Sequence, residues 1–171
     1  MPRTISITKA PALSLDVVIP AFAFIIPFVL SGPQWLTGSI INCLLFLSSG
    51  TLSKKSRAAV IVLPSIGALS HGILFGQFTP FLIYFLPFIW VGNFLLTYIF
   101  KETKNYGYPI RVVTSSVIKS VLLFSIATLY LRFSLVPKLF VTSMGILQLV
   151  TAIAGGILLY TVAKLMNIKY E

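Results

Sequence analysis

Between Leu63 and Asn93 the chain reads LPSIGALSHGILFGQFTPFLIYFLPFIWVGN, without an aspartate, glutamate, lysine or arginine. Such a run offers water no charged face. In hydrocarbon every backbone N–H and C=O needs an internal partner, which leaves the α-helix or the closed barrel as spanning forms. One crossing takes roughly 20 residues, so this stretch is long enough to turn back on itself. Gly76-Gln77-Phe78-Thr79-Pro80 supplies the turn signal. The expectation is a helical hairpin with an uncharged loop at its tip, bearing the only histidine, His71, and prolines at 64, 80 and 87.

The rest of the chain calls for the same solvent. Only 9% of the 171 residues are charged, against about 25% in ordinary soluble domains, which excludes a soluble reading. Six segments are long and apolar enough to be read as spans, at about residues 13–30, 35–52, 58–76, 79–100, 109–132 and 139–165. The predicted fold class is all-α: an integral membrane protein, a bundle of six transmembrane helices forming one domain over residues 1–171. Pro20 and Pro27 should bend the first span. Pro109 suits the first turn of the fifth. Arg3 and Lys9 precede the first run and no small-residue cleavage signal follows, so that run is read as a retained span.

Thirteen basic residues face three acidic ones, a formal charge of +10. In a soluble chain this would suggest nucleic acid. Here the cations fall in short loops, so orientation and anionic lipid headgroups account for them, and no nucleic-acid partner is expected. One side collects Arg3, Lys9, Lys54, Lys55, Arg57, Lys101, Lys104, Arg111, Lys164 and Lys169, the other only Arg132 and Lys138. The positive-inside rule then places both termini in the cytoplasm and the 76–80 loop outside, in a cell membrane of prokaryotic cytoplasmic type.

Polar groups within such spans are costly and point to function unless they are paired. Asn42, His71 and Gln148 fall in the outer half of their spans, Asn93 lies deeper, and Lys119 sits near mid-span. A lysine there costs about 2.5–3.5 kcal/mol even on lenient scales, and no acidic residue shares its depth. Together these residues define a candidate substrate-binding cavity open to the outside, with aromatic walls available from Trp35, Phe78, Phe81, Tyr84 and Trp90. The plain alternative is that Asn42 and Gln148 only bond neighbouring helices, a contribution of about 0.6 kcal/mol each. Ala152 with Gly156, and Ala68 with Gly72, are spaced for close helix approach.

Enzyme chemistry has no foothold in these residues. One histidine and three acids scattered over the chain form no nucleophile–base set, and there is no phosphate-binding Walker loop. The single cysteine, Cys43, can build neither an internal disulfide nor a cysteine metal site. No cofactor and no metal are expected.

Six short spans, termini inside, and a last span reading Gln148-Leu149-Val150-Thr151-Ala152 before Gly155-Gly156 resemble the substrate-binding S components of energy-coupling factor transporters. The uncharged outer loop after the third span is similar too. Span one departs from the family's A-x-x-x-A docking face, offering Ala21 and Ala23 instead. The resemblance implies binding of a vitamin-like small molecule in an outward-facing cavity capped by loops, with a transmembrane coupling subunit and cytoplasmic ATPases as partners. The other reading is a non-transporting structural or anchoring subunit of a larger membrane complex, its polar residues meeting partner helices.

Overall fold

The computed structural model describes residues 13–30, 33–71 and 75–165, apart from the side chains of Leu13, Ser14 and His71. All regular structure among them is helical. The order is α1 (Leu13–Val29), α2 (Gln34–Thr51), α3 (Lys54–His71), a 3-10 segment (Gly76–Phe85) running into α4 (Leu86–Glu102), then α5 (Tyr108–Arg132), α6 (Leu139–Met144) and α7 (Ile146–Leu165). Taking the 3-10 segment with α4, and α6 with α7, these are six rods. Helix α1 lies along α3, α2 along α7, and α4 along α5, while α2 also meets α1, α3 and α4.

Helix α2 is the axle. Its buried residues include Thr37, Asn42, Ser48 and Ser49 beside Ile41, Leu45 and Phe46. The Ser48 and Ser49 hydroxyls donate to the carbonyls of Leu45 and Phe46 at 2.7 Å, so their own helix satisfies them. Glycine sets how close α7 can come: a Cβ on Gly155 would stand 2.7 Å from the Cys43 nitrogen and 2.8 Å from the Ser39 carbonyl oxygen. The 152/156 spacing thus marks a real close-packing surface, with Gly155 against α2 and Gly156 against Val112 of α5. Gly67 likewise lets α3 approach the Phe24 carbonyl of α1. Gly72, the other small residue singled out, lies outside the described residues.

Three rods are long and apolar enough to cross a membrane: Gly76–Glu102, Tyr108–Arg132 and Leu139–Leu165. Helix α1 is apolar but shorter. Helices α2 and α3 have 18 residues each, and they dilute their apolar content with Gln34, Asn42 and serines in one case and Lys54, Lys55 and Arg57 in the other. On α2 the cause is position, because several of its polar side chains face protein. Around the bundle, exposed apolar side chains such as Phe22, Ile25, Phe94, Tyr98, Val121 and Ile157 form a belt. Among the described residues every charged side chain lies within about a turn of a helix end or in a connecting loop, except Lys119, which is turned inward.

Two segments depart from the expected regular helices. Residues 76–80 are not an open loop; they begin a ten-residue 3-10 helix, long for that geometry. Proline explains it. Pro80 has no N–H to offer the Gly76 carbonyl, which accepts the Thr79 hydroxyl instead at 2.9 Å, while Thr79 Oγ1 accepts the Phe75 N–H at 3.0 Å. Pro87 frees the Ile83 carbonyl in the same way, and the Leu86 N–H takes it. The last rod is also broken, at Gly145, where a Cβ would meet the Phe124 ring at 2.7 Å and the Val141 carbonyl at 2.8 Å. The Ser120 hydroxyl reaches across from α5 to the Gly145 carbonyl at 2.8 Å.

Candidate functional site

Down one side of α2, Gln34, Thr37, Gly38, Ile41 and Asn42 recur at helical spacing, and they line a central cavity of about 90 Å³. Every rod contributes to it. Pro27 comes from α1, Pro64, Ser65 and Ala68 from α3, and Phe75 and Leu82 from the 3-10 region. Ile89 and Asn93 come from α4, Lys119 from α5 and Gln148 from α7. The cavity runs inward from the end of the bundle bearing the 3-10 segment and α6, and it stops near the middle.

Lys119 forms the floor. It is 3% exposed, and its Nζ donates to Asn42 Oδ1 at 2.7 Å. Asn42, 2% exposed, donates in turn from Nδ2 to Thr151 Oγ1 at 3.2 Å, and Thr151 Oγ1 donates to the Gln148 carbonyl at 3.2 Å. The relay joins α5, α2 and α7. Gly92 makes room for it, since a Cβ there would touch the lysine stem at 3.4 Å. A lysine nitrogen carries at least two N–H donors and Asn42 occupies one, which leaves Lys119 able to serve an acceptor in the cavity. No acidic side chain lines the space.

The opposite wall is the seam between α3 and α4. Pro64 interrupts the α3 ladder, and α4 bonds to the helix there. Asn93 Nδ2 donates to the Ile61 carbonyl at 2.9 Å, and Trp90 Nε1 to Ser65 Oγ at 2.8 Å. At the rim, Gln34 Nε2 donates to the Ser143 carbonyl of α6 at 3.2 Å.

The structure therefore brings four of the residues predicted from sequence, Asn42, Asn93, Lys119 and Gln148, to one cavity. Trp35 does not join them; it is 58% exposed on the first turn of α2, as an interfacial tryptophan would be. The His71 side chain lies outside the described residues. Of the aromatic walls expected, Phe78, Phe81, Tyr84 and Trp90 also miss the cavity, and Phe75 is its aromatic lining. Phe81 packs instead on Phe140, and Tyr84 faces outward. Gln34, Thr37 and Ser65 were not predicted. Gln34 and Thr37 are legible in hindsight, because with Asn42 they repeat at the period of a helix face.

No family model, no curated protein and no solved structure matches the chain. The site must be read from its own chemistry. Among the described residues no group of histidine, cysteine, aspartate or glutamate is placed to hold a metal ion. The cavity presents donors from a lysine and several amides, set in apolar walls of Ile41, Ala68, Phe75, Leu82 and Ile89. A few polar groups set in apolar walls is the general form of a small-molecule site.

Proposed function

We propose that the protein spans the membrane with both termini in the cytoplasm and acts as a solute-binding subunit for uptake of a vitamin-like small molecule. The apolar belt and the segregation of charge to the bundle's ends support the membrane placement. The excess of cations at the end holding Lys54, Lys101 and Arg111 supports the orientation. The observation that carries the binding reading is the meeting of Lys119 with Asn42 at the floor of a cavity that Asn93 and Gln148 also border. A buried lysine with no carboxylate beside it is explained by a ligand carrying a carboxylate or carbonyl. As in the energy-coupling factor S components that the sequence resembles, the drive comes from a transmembrane coupling subunit and cytoplasmic ATPases. The protein itself performs no chemical step.

A second reading has an observation in its favour. Sites for drug-sized ligands measure about 300–1,000 Å³, whereas this cavity is about 90 Å³ and Lys119 already has Asn42. A structural subunit, anchoring a larger membrane complex, needs no more space than that. For the first reading, the 3-10 segment and α6 must part to admit a vitamin-sized solute. Thermal unfolding of the detergent-purified protein against a panel of vitamins separates the two. A stabilising compound whose effect is lost in Lys119→Leu supports solute binding. A flat panel, with Lys119→Leu as stable as the parent and a stoichiometric partner copurifying, supports the structural role.

A further inference from the structure

At the basic end, the last turns of α2 and α4 and the first turns of α3 and α5 leave a hollow of about 380 Å³. Arg57, Lys101, Lys104 and Arg111 line it with Ser49 and Phe100, and no acidic side chain does. One of the cations is held in place. Arg111 is buried, its Nε donates to the Phe100 carbonyl at 3.0 Å, and its guanidinium stands 4.2 Å from the centre of the Phe100 ring. Arg57 sits in the first turn of α3, which Ser53 caps by accepting the Ser56 N–H at 3.3 Å. Its Nε is buried without a hydrogen-bond partner.

Buried donors in folded proteins are almost always paired, so an orphan asks for an absent acceptor. The acceptor must carry charge opposite to four converging cations and reach the buried Arg57 Nε, the positive dipole ends of α3 and α5 being offset there by the negative ends of α2 and α4. A tetrahedral oxyanion meets both demands, and a guanidinium binds one through paired N–H groups. We propose that this hollow is a phosphate-binding site, distinct from the central cavity and at the opposite end of the bundle. The phosphate belongs either to an anionic lipid headgroup or to a soluble phosphate. Beyond the Phe100–Tyr108 ring pair, 5.7 Å between centroids, Tyr108, Val113, Ile157 and Tyr160 line an apolar groove along which a lipid chain could lie.

The test uses the full chain, purified and delipidated in a nonionic detergent. Thermal stability is titrated with sodium phosphate against sodium chloride at matched ionic strength, and separately with micelles containing phosphatidylglycerol or phosphatidylcholine. A shift with phosphate identifies a soluble ligand. A shift with phosphatidylglycerol alone, and a single bound copy by native mass spectrometry, identifies a lipid headgroup. In either case Arg57→Gln should weaken the apparent affinity about tenfold or more, the loss expected for a charge-assisted bond, and Lys104→Gln should weaken it less. Lys55→Gln removes the same charge from an exposed residue outside the hollow and should change nothing. If Arg57→Gln does not fold, Arg57→Lys with Lys104→Gln takes its place. The proposal is overturned if neither phosphate nor phosphatidylglycerol shifts the parent protein, or if Lys55→Gln weakens binding as much as the pocket variants do.

Discussion

At the basic end, α2, α4, α5 and α7 run as regular helices and pack closely beside the hollow that Arg57 and Arg111 line. Phe46 and Phe100 pack with centroids 4.8 Å apart, and the Tyr108 hydroxyl ties α5 to the Gly156 carbonyl at 2.7 Å. At the far end the chain leaves the α-helix twice, in the 3-10 segment and at Gly145. There Phe75, Phe81, Phe85 and Tyr130 gather around or beside Phe140 in contacts between irregular pieces. Proline also sits inside α1, at Pro20 and Pro27, and inside α3, at Pro64, yet those segments stay α-helical; among the described residues only at the far end does a rod leave the α-helix. We expect the far end, where the α-helix is left twice, to open before the basic end.

The severest way to break this contrast is to pry apart α2 and α7. In Gly155→Val the new side chain meets the backbone at Cys43 and Ser39, which cannot rotate away. Overpacking against main chain should cost about 3 kcal/mol or more. The expected outcome is loss of the monodisperse species on size exclusion in detergent. A well-behaved Gly155→Val protein would mean that the α2–α7 register is not what holds the bundle.

Next in size is the floor of the cavity. Asn42→Leu strips Lys119 of its acceptor and should cost about 1–3 kcal/mol, the penalty of an orphaned buried donor. Lys119→Met removes a costly buried basic group but leaves the Asn42 Oδ1 acceptor unpaired, so its net cost should be smaller than that of Asn42→Leu. The double variant should regain most of what Asn42→Leu loses. Thermal or denaturant unfolding of the four proteins gives the coupling directly. Additive losses would show that Lys119 has another partner.

Much of this is legible in the sequence. The rods and their order follow from apolar runs and loop charges, and Asn42, Asn93, Lys119 and Gln148 stood out because polar groups are rare in such runs. What stayed hidden is tertiary or local. Apolar content does not separate a 3-10 helix from a loop at 76–80; that depends on which donor replaces the missing N–H of Pro80. The break at Gly145 depends on the Phe124 ring from another helix. Trp35 at a helix end suits an interface as well as a pocket, and residue type alone does not choose between them.

The rim offers a milder test. Gln34→Ala removes the bond to the Ser143 carbonyl that links α2 to α6, a loss of about 1 kcal/mol. The effect should stay local. Hydrogen exchange is expected to quicken in Leu139–Met144 and Gly76–Phe85 and to remain unchanged in the basic-end half of α2. Faster exchange throughout α2 would mean that the two ends unfold as one unit.

The smallest effect is expected at the seam between α3 and α4. Trp90→Phe deletes the 2.8 Å bond to Ser65, yet Ser65 still donates to the Val62 carbonyl at 2.9 Å and Asn93 still holds the Ile61 carbonyl. Nothing is left orphaned, so the loss should be near the ~0.6 kcal/mol average for interhelical side-chain bonds in a bilayer. The variant retains the exposed Trp35 as its sole tryptophan, and subtracting its emission from the parent's isolates the signal of Trp90 at the seam. A loss above about 2 kcal/mol, beyond the largest such bonds, would show that the Pro64 seam carries the bundle's rigidity. The division between a rigid basic end and a yielding far end would then have to be redrawn along α3 and α4.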